Sequence, residues 1–335
     1  MGSRDVLPPL PDIEPNMMGA GEYSVQKASR ECNFVQGLEG DIDTGHLGFL
    51  HNGSITPESQ KPGSYNYYTV KDRAPRYSVM DTEYGTSYGT YRPAEADTYY
   101  WRVAHFLFPF YTMIPTGVLG LQVLVRVWVP IDDEHTMFWN IGSTRPGAGP
   151  AGQPRQTQSA PGTATGAGAT AGGNAFARGG GYGDFLPNTS DWFGKWRPEG
   201  RRENDYNIDR ELQRTDSTSN GYTGITGIPL QDQAITESMG TIYERTNEHL
   251  GTTDGMVIRT RRRMINAAKA LRDQAVIPPG VDSPEMYRQR SGGVVLPRTA
   301  DWVEATRTLR EAFVQHDELT EAPYTPPAPV KQVAG

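Results

Sequence analysis

Residues 31–51 organise this chain and read ECNFVQGLEGDIDTGHLGFLH. Asp43, His46 and His51 lie in its second half, and Glu39 lies four residues before Asp43. The chain has six histidines, so two of them five residues apart make a metal site the first hypothesis to test. Imidazole suits iron, copper, nickel and zinc, and two histidines with one carboxylate leave open positions on a non-haem iron.

The spacing of these residues makes a demand on the backbone. Asp43 and His46 are three residues apart and would be neighbours on one face of a helix. His46 and His51 point away from each other on a regular helix of 3.6 residues per turn. Both can bind one ion only if the helix ends, kinks or widens between them, and Gly45 and Gly48 lower the cost of such a departure. For the two histidines alone, unrelated positions on an amphipathic helix are an equally good interpretation.

A longer pattern contains the same residues. Glu39 and Asp43 precede His46 and His51 with successive spacings of four, three and five residues. This pattern resembles the mononuclear-iron motif in the large (alpha) subunit of Rieske-type aromatic-ring-hydroxylating oxygenases, and its surroundings most resemble the phthalate-dioxygenase branch. The segments that carry or continue the resemblance are 31–33, 36–43, 223–225, 231–240 and 248–251. The resemblance is specific and covers most of the chain.

The resemblance implies a ligand set for Fe(2+). His46 and His51 would bind the iron together with Asp232, which lies 181 residues beyond His51. Asp232 is also near the start of a predicted helix, so a simple charge that favours the helix dipole is the other interpretation of this carboxylate. Glu39 and Glu237 are secondary candidates for the site.

The same resemblance implies an activity and its partners. Members of the family activate dioxygen at the mononuclear iron and hydroxylate or demethylate an aromatic substrate. Resemblance to this branch suggests that the substrate is an acid. Electrons come from an NADH-dependent reductase through a Rieske [2Fe-2S] cluster. Asp43 would bridge His46 to a Rieske histidine of a neighbouring subunit, and it would also fix the tautomer of the His46 ring. The full-length protein would be a homotrimer or hexamer.

Composition limits the remaining classes of protein. The net charge of −7 argues against general nucleic-acid binding, and no run of about 18 apolar residues is present to span a bilayer. No secretory signal pattern precedes the body, and the single Cys32 fits a reducing cytoplasm. A Rieske cluster takes two Cys and two His, so we expect a catalytic domain that depends on a missing or separate Rieske domain.

The predicted architecture is α+β, with one antiparallel sheet and helices packed on it. Residues 64–131 are predicted to be strands, because segments such as 121–129 alternate between apolar and polar residues and are joined by short turns. Helices are predicted at 230–245, 254–273 and 301–316. The family resemblance implies a helix-grip (START-like) fold, in which a curved sheet grips a long helix around a hydrophobic substrate cavity.

Three regions flank or interrupt the predicted catalytic domain at 23–316. Residues 1–22 resemble the interdomain connection of the family and are predicted to wrap the surface. Residues 142–183 are dominated by Gly, Ala, Pro, Ser and Thr and are predicted to be a flexible surface insertion, with an entrance lid as the alternative. Residues 317–335 are predicted to form a Pro-rich extended tail.

Two further sets of polar residues are assigned structural roles. His105 lies in a predicted strand and is interpreted as an ordinary sheet histidine with satisfied hydrogen bonds, rather than a pocket residue. In a chain of net negative charge, a cluster of arginines favours a salt-bridged or subunit-contact face over a nucleic-acid patch. This cluster contains Arg259, Arg261, Arg262 and Arg263.

Two other functional classes stay open. A non-enzymatic module that binds a hydrophobic ligand can share this fold, but it would not need Asp43, His46, His51 and Asp232 together. A zinc hydrolase could use the same three ligands and a water, but no separate general base is evident. Metal analysis of anaerobically purified protein would separate both classes from an iron oxygenase.

Overall fold

The computed structural model of the chain describes residues 5–51, 60, 65–144, 182–215, 222–317 and 319. Within these ranges, eight strands form one antiparallel sheet, which confirms the predicted α+β class. The strands are β1 (Tyr23–Arg30), β2 (Arg76–Thr82), β3 (Gly85–Pro93), β4 (Thr98–Leu107), β5 (Tyr111–Met113), β6 (Leu124–Pro130), β7 (Thr136–Ser143) and β8 (Gly292–Pro297).

The strand order is β1-β7-β6-β5-β4-β3-β2, and β8 pairs with the first part of β4. Strands β2 and β3 form an antiparallel hairpin, with Thr82 opposite Gly85. Gly85 has a positive φ, and a Cβ added there would lie 2.1 Å from the carbonyl oxygen of Phe106. A glycine is therefore required where β3 begins beside β4.

Six α-helices lie in the described ranges. Their bounds are α1 (Phe34–Ile42), α2 (Tyr65–Lys71), α3 (Arg210–Thr215), α4 (Ile228–Ser238), α5 (Gly255–Gln274) and α6 (Trp302–Ala305). Both α1 and α5 pack against the sheet. The 20-residue α5 packs against β2, β3 and α1. A long helix held against an antiparallel sheet is the arrangement that a helix-grip fold requires.

A buried apolar cluster joins α1 and α5 to the sheet. Residues 256, 257, 264 and 267 of α5 recur at helical spacing and face this cluster. Its other members include Leu38 and Ile42 from α1 and Tyr88, Phe106, Trp128 and Phe138 from the strands. Burying these side chains is the main favourable term that holds the two helices on the sheet.

The sequence-based element bounds need three corrections. Residues 65–71 are helical, not part of the strands. The helix predicted at 230–245 ends at Ser238, where Gly240 follows with a φ of +103°. The helix predicted at 301–316 is confined to 302–305, with a short 3-10 turn at 308–310.

The predicted flanking regions are described only in part. Most of the insertion predicted at 142–183, including its 147–173 core, lies outside the described residues, as does most of the 317–335 tail. In the N-terminal segment, Leu7 and Leu10 are exposed, whereas Ile13 and Glu14 are buried. Glu14 forms an ion pair with Arg290 at 2.7 Å, which ties this segment to the body.

Candidate metal centre

The end of α1 positions the first two histidines. Asn33 caps the start of the helix by accepting a hydrogen bond from the Val35 N–H, and the helix ends at Ile42. Asp43 is extended, and its carboxylate accepts the backbone N–H groups of Gly45 at 2.7 Å and His46 at 3.1 Å. This turn redirects the chain into a single 3-10 turn at His46–Gly48. The helical geometry is thus broken, as a shared ion requires.

Three side chains converge at this point. His46 and His51 follow α1, and Asp232 lies on α4. Their donor atoms all lie within 4.8 Å of one another. The Oδ1 atom of Asp232 is 3.0 Å from His51 Nε2 and 3.6 Å from His46 Nε2. The fold therefore brings together residues that are 181 positions apart in the sequence.

The two separations from Asp232 fit donors that share one ion. Typical metal–nitrogen and metal–oxygen bonds of about 2.0–2.2 Å place two ligands of one ion about 3.0 Å apart at right angles and about 3.4 Å apart at tetrahedral angles. The two imidazole rings lie edge to face, with centroids 5.2 Å apart and planes at 75°. The geometry suits an ion held on one side by three protein ligands.

The tautomer of His51 is fixed by Gln231. The side-chain amide of Gln231 donates from Nε2 to the carbonyl oxygen of Ile225 at 2.8 Å, so its Oε1 faces His51 Nδ1 at 2.7 Å. His51 must therefore donate from Nδ1, which leaves a lone pair on Nε2. That Nε2 atom is buried without a hydrogen-bond partner among the described residues and faces the Asp232 carboxylate. Two acceptors in contact are stable when a cation lies between them.

Asp232 supplies a negative charge to the site. Burial acts to raise its pKa, but the neighbouring His51, His46 and Arg126 outweigh burial and lower the pKa to about 2. The carboxylate is therefore ionised at neutral pH. An ionised carboxylate with two imidazoles is a suitable donor set for a divalent transition-metal ion.

Asp43 lies on the other side of His46. Its Oδ2 is 3.5 Å from His46 Nδ1, and its Oδ1 accepts a hydrogen bond from the Tyr77 hydroxyl at 3.1 Å. Burial acts to raise the pKa of Asp43, but contacts with His46, Gly45 and Tyr77 outweigh it and lower the pKa. Burial likewise acts to lower the pKa of His46, but the two carboxylates raise it above its usual range. Asp43 is an ionised group beside the ring nitrogen that points away from Asp232.

The two secondary candidates lie elsewhere. Glu39 binds Arg261, with Oε2 2.8 Å from Nη2, and also contacts Arg245 at 3.1 Å. Glu237 is fully buried and accepts hydrogen bonds from the Glu31 backbone N–H at 2.9 Å and from the Gln233 amide at 3.2 Å. The group of converging donors in the described structure contains neither of them. Both carboxylates are committed to structural contacts instead.

Sequence reasoning missed two residues of this site, Gln231 and Tyr77. Gln231 is adjacent to Asp232, and neighbouring helix residues normally point about 100° apart, so adjacency gave no reason to pair it with His51. Tyr77 belongs to β2, and its contact with Asp43 depends on how that strand lies beside the end of α1. Neither residue type is distinctive enough in the sequence to reveal its role.

Known proteins are similar to this chain in sequence. The family model described as "LigXa C-terminal domain like" matches residues 1–156 and 188–324. The chain is 39% identical over 318 residues to the 3-chlorobenzoate-3,4-dioxygenase oxygenase subunit of Comamonas testosteroni, covering 94% of this chain and 69% of that protein. It is 31% identical over 282 residues to the phthalate 4,5-dioxygenase oxygenase subunit of Pseudomonas putida, covering 81% of this chain and 56% of that protein.

A candidate two-histidine, one-carboxylate metal site on an antiparallel α+β domain is the arrangement typical of a non-haem iron oxygenase. Within that class, the chain belongs to the LigXa C-terminal-domain-like family, the catalytic domain of Rieske-type oxygenases.

Solved structures add a weaker comparison. The protein NdmA of Pseudomonas putida CBB5 aligns with a TM-score of 0.31 and 10% identity, covering 84% of this chain and 57% of that one. A score this low carries no weight beside the sequence match. In the described ranges, the helices are all too short or too polar to cross a membrane.

Proposed function

We propose that this chain is the catalytic domain of an aromatic-ring-hydroxylating oxygenase with a mononuclear non-haem iron. The convergence of His46, His51 and Asp232 carries the proposal. Membership of the family supports iron over other metals that the same donors could bind. Ferrous iron held there would supply the activation of dioxygen, with electrons taken from a Rieske cluster and its NADH-dependent reductase.

The protein's own groups have separate tasks in this proposal. Gln231 holds the His51 ring so that Nε2 presents its lone pair to the ion. Asp43 faces Nδ1 of His46 and is proposed to orient that ring and to bridge it to a Rieske histidine of a neighbouring subunit. Asp232 contributes the negative charge that partly offsets the charge of a divalent ion.

The substrate is proposed to be an aromatic acid. The two relatives are named for 3-chlorobenzoate and phthalate, which both carry a carboxylate on a benzene ring. Hydroxylation is the proposed reaction, with demethylation as the other reaction that the family resemblance implies. A location in the cytoplasm and a homotrimeric or hexameric assembly stay predictions.

The domain layout is proposed on the sequence match. The family model leaves residues 157–187 unmatched, which overlaps the proposed insertion at 142–183. We also propose that 1–22 connects the domain at 23–316 to a Rieske domain and that 317–335 is a tail. The chain spans 69% and 56% of the length of the two relatives, so a further domain is compatible with the match.

Iron content tests the proposed function. Anaerobically purified chain is expected to hold about one ferrous ion. Loss of a residue that only supports a metal ligand weakens metal affinity by roughly 10–100-fold. His46→Ala and His51→Ala each remove a ligand itself and should therefore weaken iron binding by more than that. His249→Ala, which changes an exposed histidine, is the matched control and should retain iron. Zinc in place of iron would favour the hydrolase, and a metal-free chain would favour the ligand-binding module. Unchanged iron in both variants would exclude these ligands.

A further inference from the structure

Arg30 is a buried cation in an aromatic cage. It is the last residue of β1, and 3% of it is exposed. Its guanidinium carbon lies 4.8 Å from the ring centre of Tyr182, 5.5 Å from that of Phe138 and 5.8 Å from that of Trp128. Its Nη2 donates a hydrogen bond to the Tyr182 hydroxyl.

The rest of the guanidinium is not satisfied by the protein. Nε and Nη1 of Arg30 are buried and have no hydrogen-bond partner, and no carboxylate lies within 4.0 Å of the guanidinium among the described residues. Arg290 shows the usual solution, since it is also buried but pairs with Glu14 and with two backbone carbonyls. A buried cation with unmade hydrogen bonds is costly unless an anion completes it.

The cage also offers a hydroxyl donor. Tyr182 accepts the bond from Arg30, and its own proton has no acceptor among the described residues. The neighbouring Arg126 lies 5.6 Å from the Phe138 ring but is already paired with Asp41. Arg30 is therefore the cation of this cluster that has no carboxylate within 4.0 Å in the described structure, although the charge of the buried Glu237 carboxylate also acts on it.

The cage lies under α1, the helix that precedes His46. Burial raises the pKa of Tyr182 to about 12, and among the smaller influences are the charges of Arg30, Arg126, Asp232 and Asp41. Trp128 packs directly under α1, where a Cβ on Gly37 would lie 2.1 Å from its ring. The cage is thus beneath the helix that leads to His46.

We propose that Arg30 and the Tyr182 hydroxyl bind the carboxylate of an aromatic acid, while the surrounding rings contact its benzene ring. This inference rests on the proposed function, because it assigns the anion-recognising groups for that substrate class. A guanidinium matches the planar geometry of a carboxylate, and aromatic side chains pack favourably against a second aromatic ring.

Calorimetric titration with benzoate and with benzamide tests the inference. Benzamide has the same ring but no charge. The wild-type chain is expected to bind benzoate at least tenfold more tightly. Arg30→Gln should weaken benzoate binding by roughly ten- to a hundredfold, the range for a hydrogen bond to a charged group, and leave benzamide nearly unchanged. Arg272→Gln removes an exposed arginine and should change neither ligand.

A second variant guards against loss of the fold in Arg30→Gln. Tyr182→Phe keeps the ring and removes only the hydroxyl, and it should weaken benzoate binding several-fold without affecting benzamide. Thermal unfolding of each variant without ligand shows whether it is folded. Equal binding of benzoate and benzamide by the wild-type chain would overturn the inference, as would full benzoate affinity in a folded Arg30→Gln or in Tyr182→Phe.

The result is separable from the iron test. If the chain does not bind iron but binds benzoate through Arg30, the subsite is supported and the oxygenase proposal is contradicted. If the chain binds iron but does not prefer benzoate to benzamide, the oxygenase proposal is supported and the subsite is contradicted.

Discussion

At the scale of single residues, the candidate site depends on the contacts that orient its two imidazole rings. The longer pattern, in which Glu39 and Asp43 precede them, indicated His46 and His51. The turn made by Asp43 explains how both can face one point. The contact between His51 and Gln231 spans 180 residues and depends on the angle at which α4 meets the end of α1, which no local pattern encodes.

Gln231 gives a prediction at this scale. Gln231→Leu removes the acceptor that fixes the His51 tautomer and should weaken ferrous-ion affinity by roughly 10–100-fold, while Gln231→Glu keeps an acceptor and should lose much less. Competition with a chelator of known affinity measures the change. Gln233→Leu is the matched control, because Gln233 is equally buried on α4 but contacts Glu237 instead. Wild-type affinity in Gln231→Leu would show that the contact does not matter.

At the scale of elements, the helices and strands that follow a clear period were predicted well. The helix expected at 254–273 is α5, within one residue at each end, and the alternation ending at Val129 is β6. The helix expected at 301–316 failed for a tertiary reason. Asp301 caps its start, but the backbone of 310–312 pairs with 288–290. The Arg290 N–H donates to the Arg310 carbonyl at 2.7 Å, and the Ala312 N–H donates to the Arg288 carbonyl at 3.2 Å. Those groups are then unavailable for a helix.

The arginine cluster on α5 also has partners that depend on tertiary contacts and not on local sequence. Arg261 bridges Glu39 on α1 and Glu248, and the side chains of all three are less than one-fifth exposed. Arg259 lies 3.7 Å from Asp81, and Arg263 donates to backbone carbonyls beside the β2–β3 turn. The predicted salt-bridged face is therefore present at Arg259 and Arg261. Its partner Glu39 had been a metal candidate because a carboxylate in a motif does not reveal which cation it meets.

His105 on β4 gives a prediction about pH. Its Nε2 donates to the backbone carbonyl oxygen of Arg290 and its Nδ1 accepts from the Tyr84 hydroxyl, both at 3.1 Å, and burial lowers its pKa to about 3. Between pH 6.5 and 3 the unfolded chain binds a proton here that the folded chain does not, so stability falls as pH falls. The loss at pH 5 is roughly 2 kcal/mol relative to pH 7.

Urea unfolding at pH 7 and pH 5 measures this loss. His105→Gln should reduce the difference between the two pH values by about that amount, whatever it does to the stability at pH 7. His249→Gln alters an exposed histidine and should leave the difference unchanged. An identical pH dependence in the wild-type chain and His105→Gln would contradict the assignment.

At the scale of the whole molecule, the family resemblance supplied what periodicity could not. Alternation and helical spacing predicted an α+β domain, but they do not place α4 next to the end of α1. That placement creates the candidate site, because Asp232 and the two histidines have no local relation. The family resemblance grouped Asp232 with the two histidines because a family motif includes residues that only the folded domain brings together. The matched family covers most of the chain.

In the proposed function, electrons reach the candidate site through a Rieske cluster. Cys32 is the single cysteine of these 335 residues, and it is buried, so the chain cannot ligate a Rieske cluster by itself. The chain with NADH and a reductase should therefore bind iron without repeated turnover of an aromatic acid. A Rieske domain, fused at the N-terminus or added as a partner, should establish hydroxylation. Repeated turnover without that domain would contradict this requirement.

Asp43→Asn then separates electron delivery from iron binding. The amide keeps the shape of Asp43 and one acceptor oxygen for the turn, but it removes the charge beside His46 Nδ1. In the fused protein, this variant should retain its iron and its unfolding temperature within a few degrees and lose most of its turnover. Asp273→Asn, at an exposed position on α5, should retain full turnover. Because iron content and turnover are measured on the same sample, full activity in the iron-loaded Asp43→Asn protein would remove Asp43 from the electron path, whereas loss of iron would make it a support of the metal site alone.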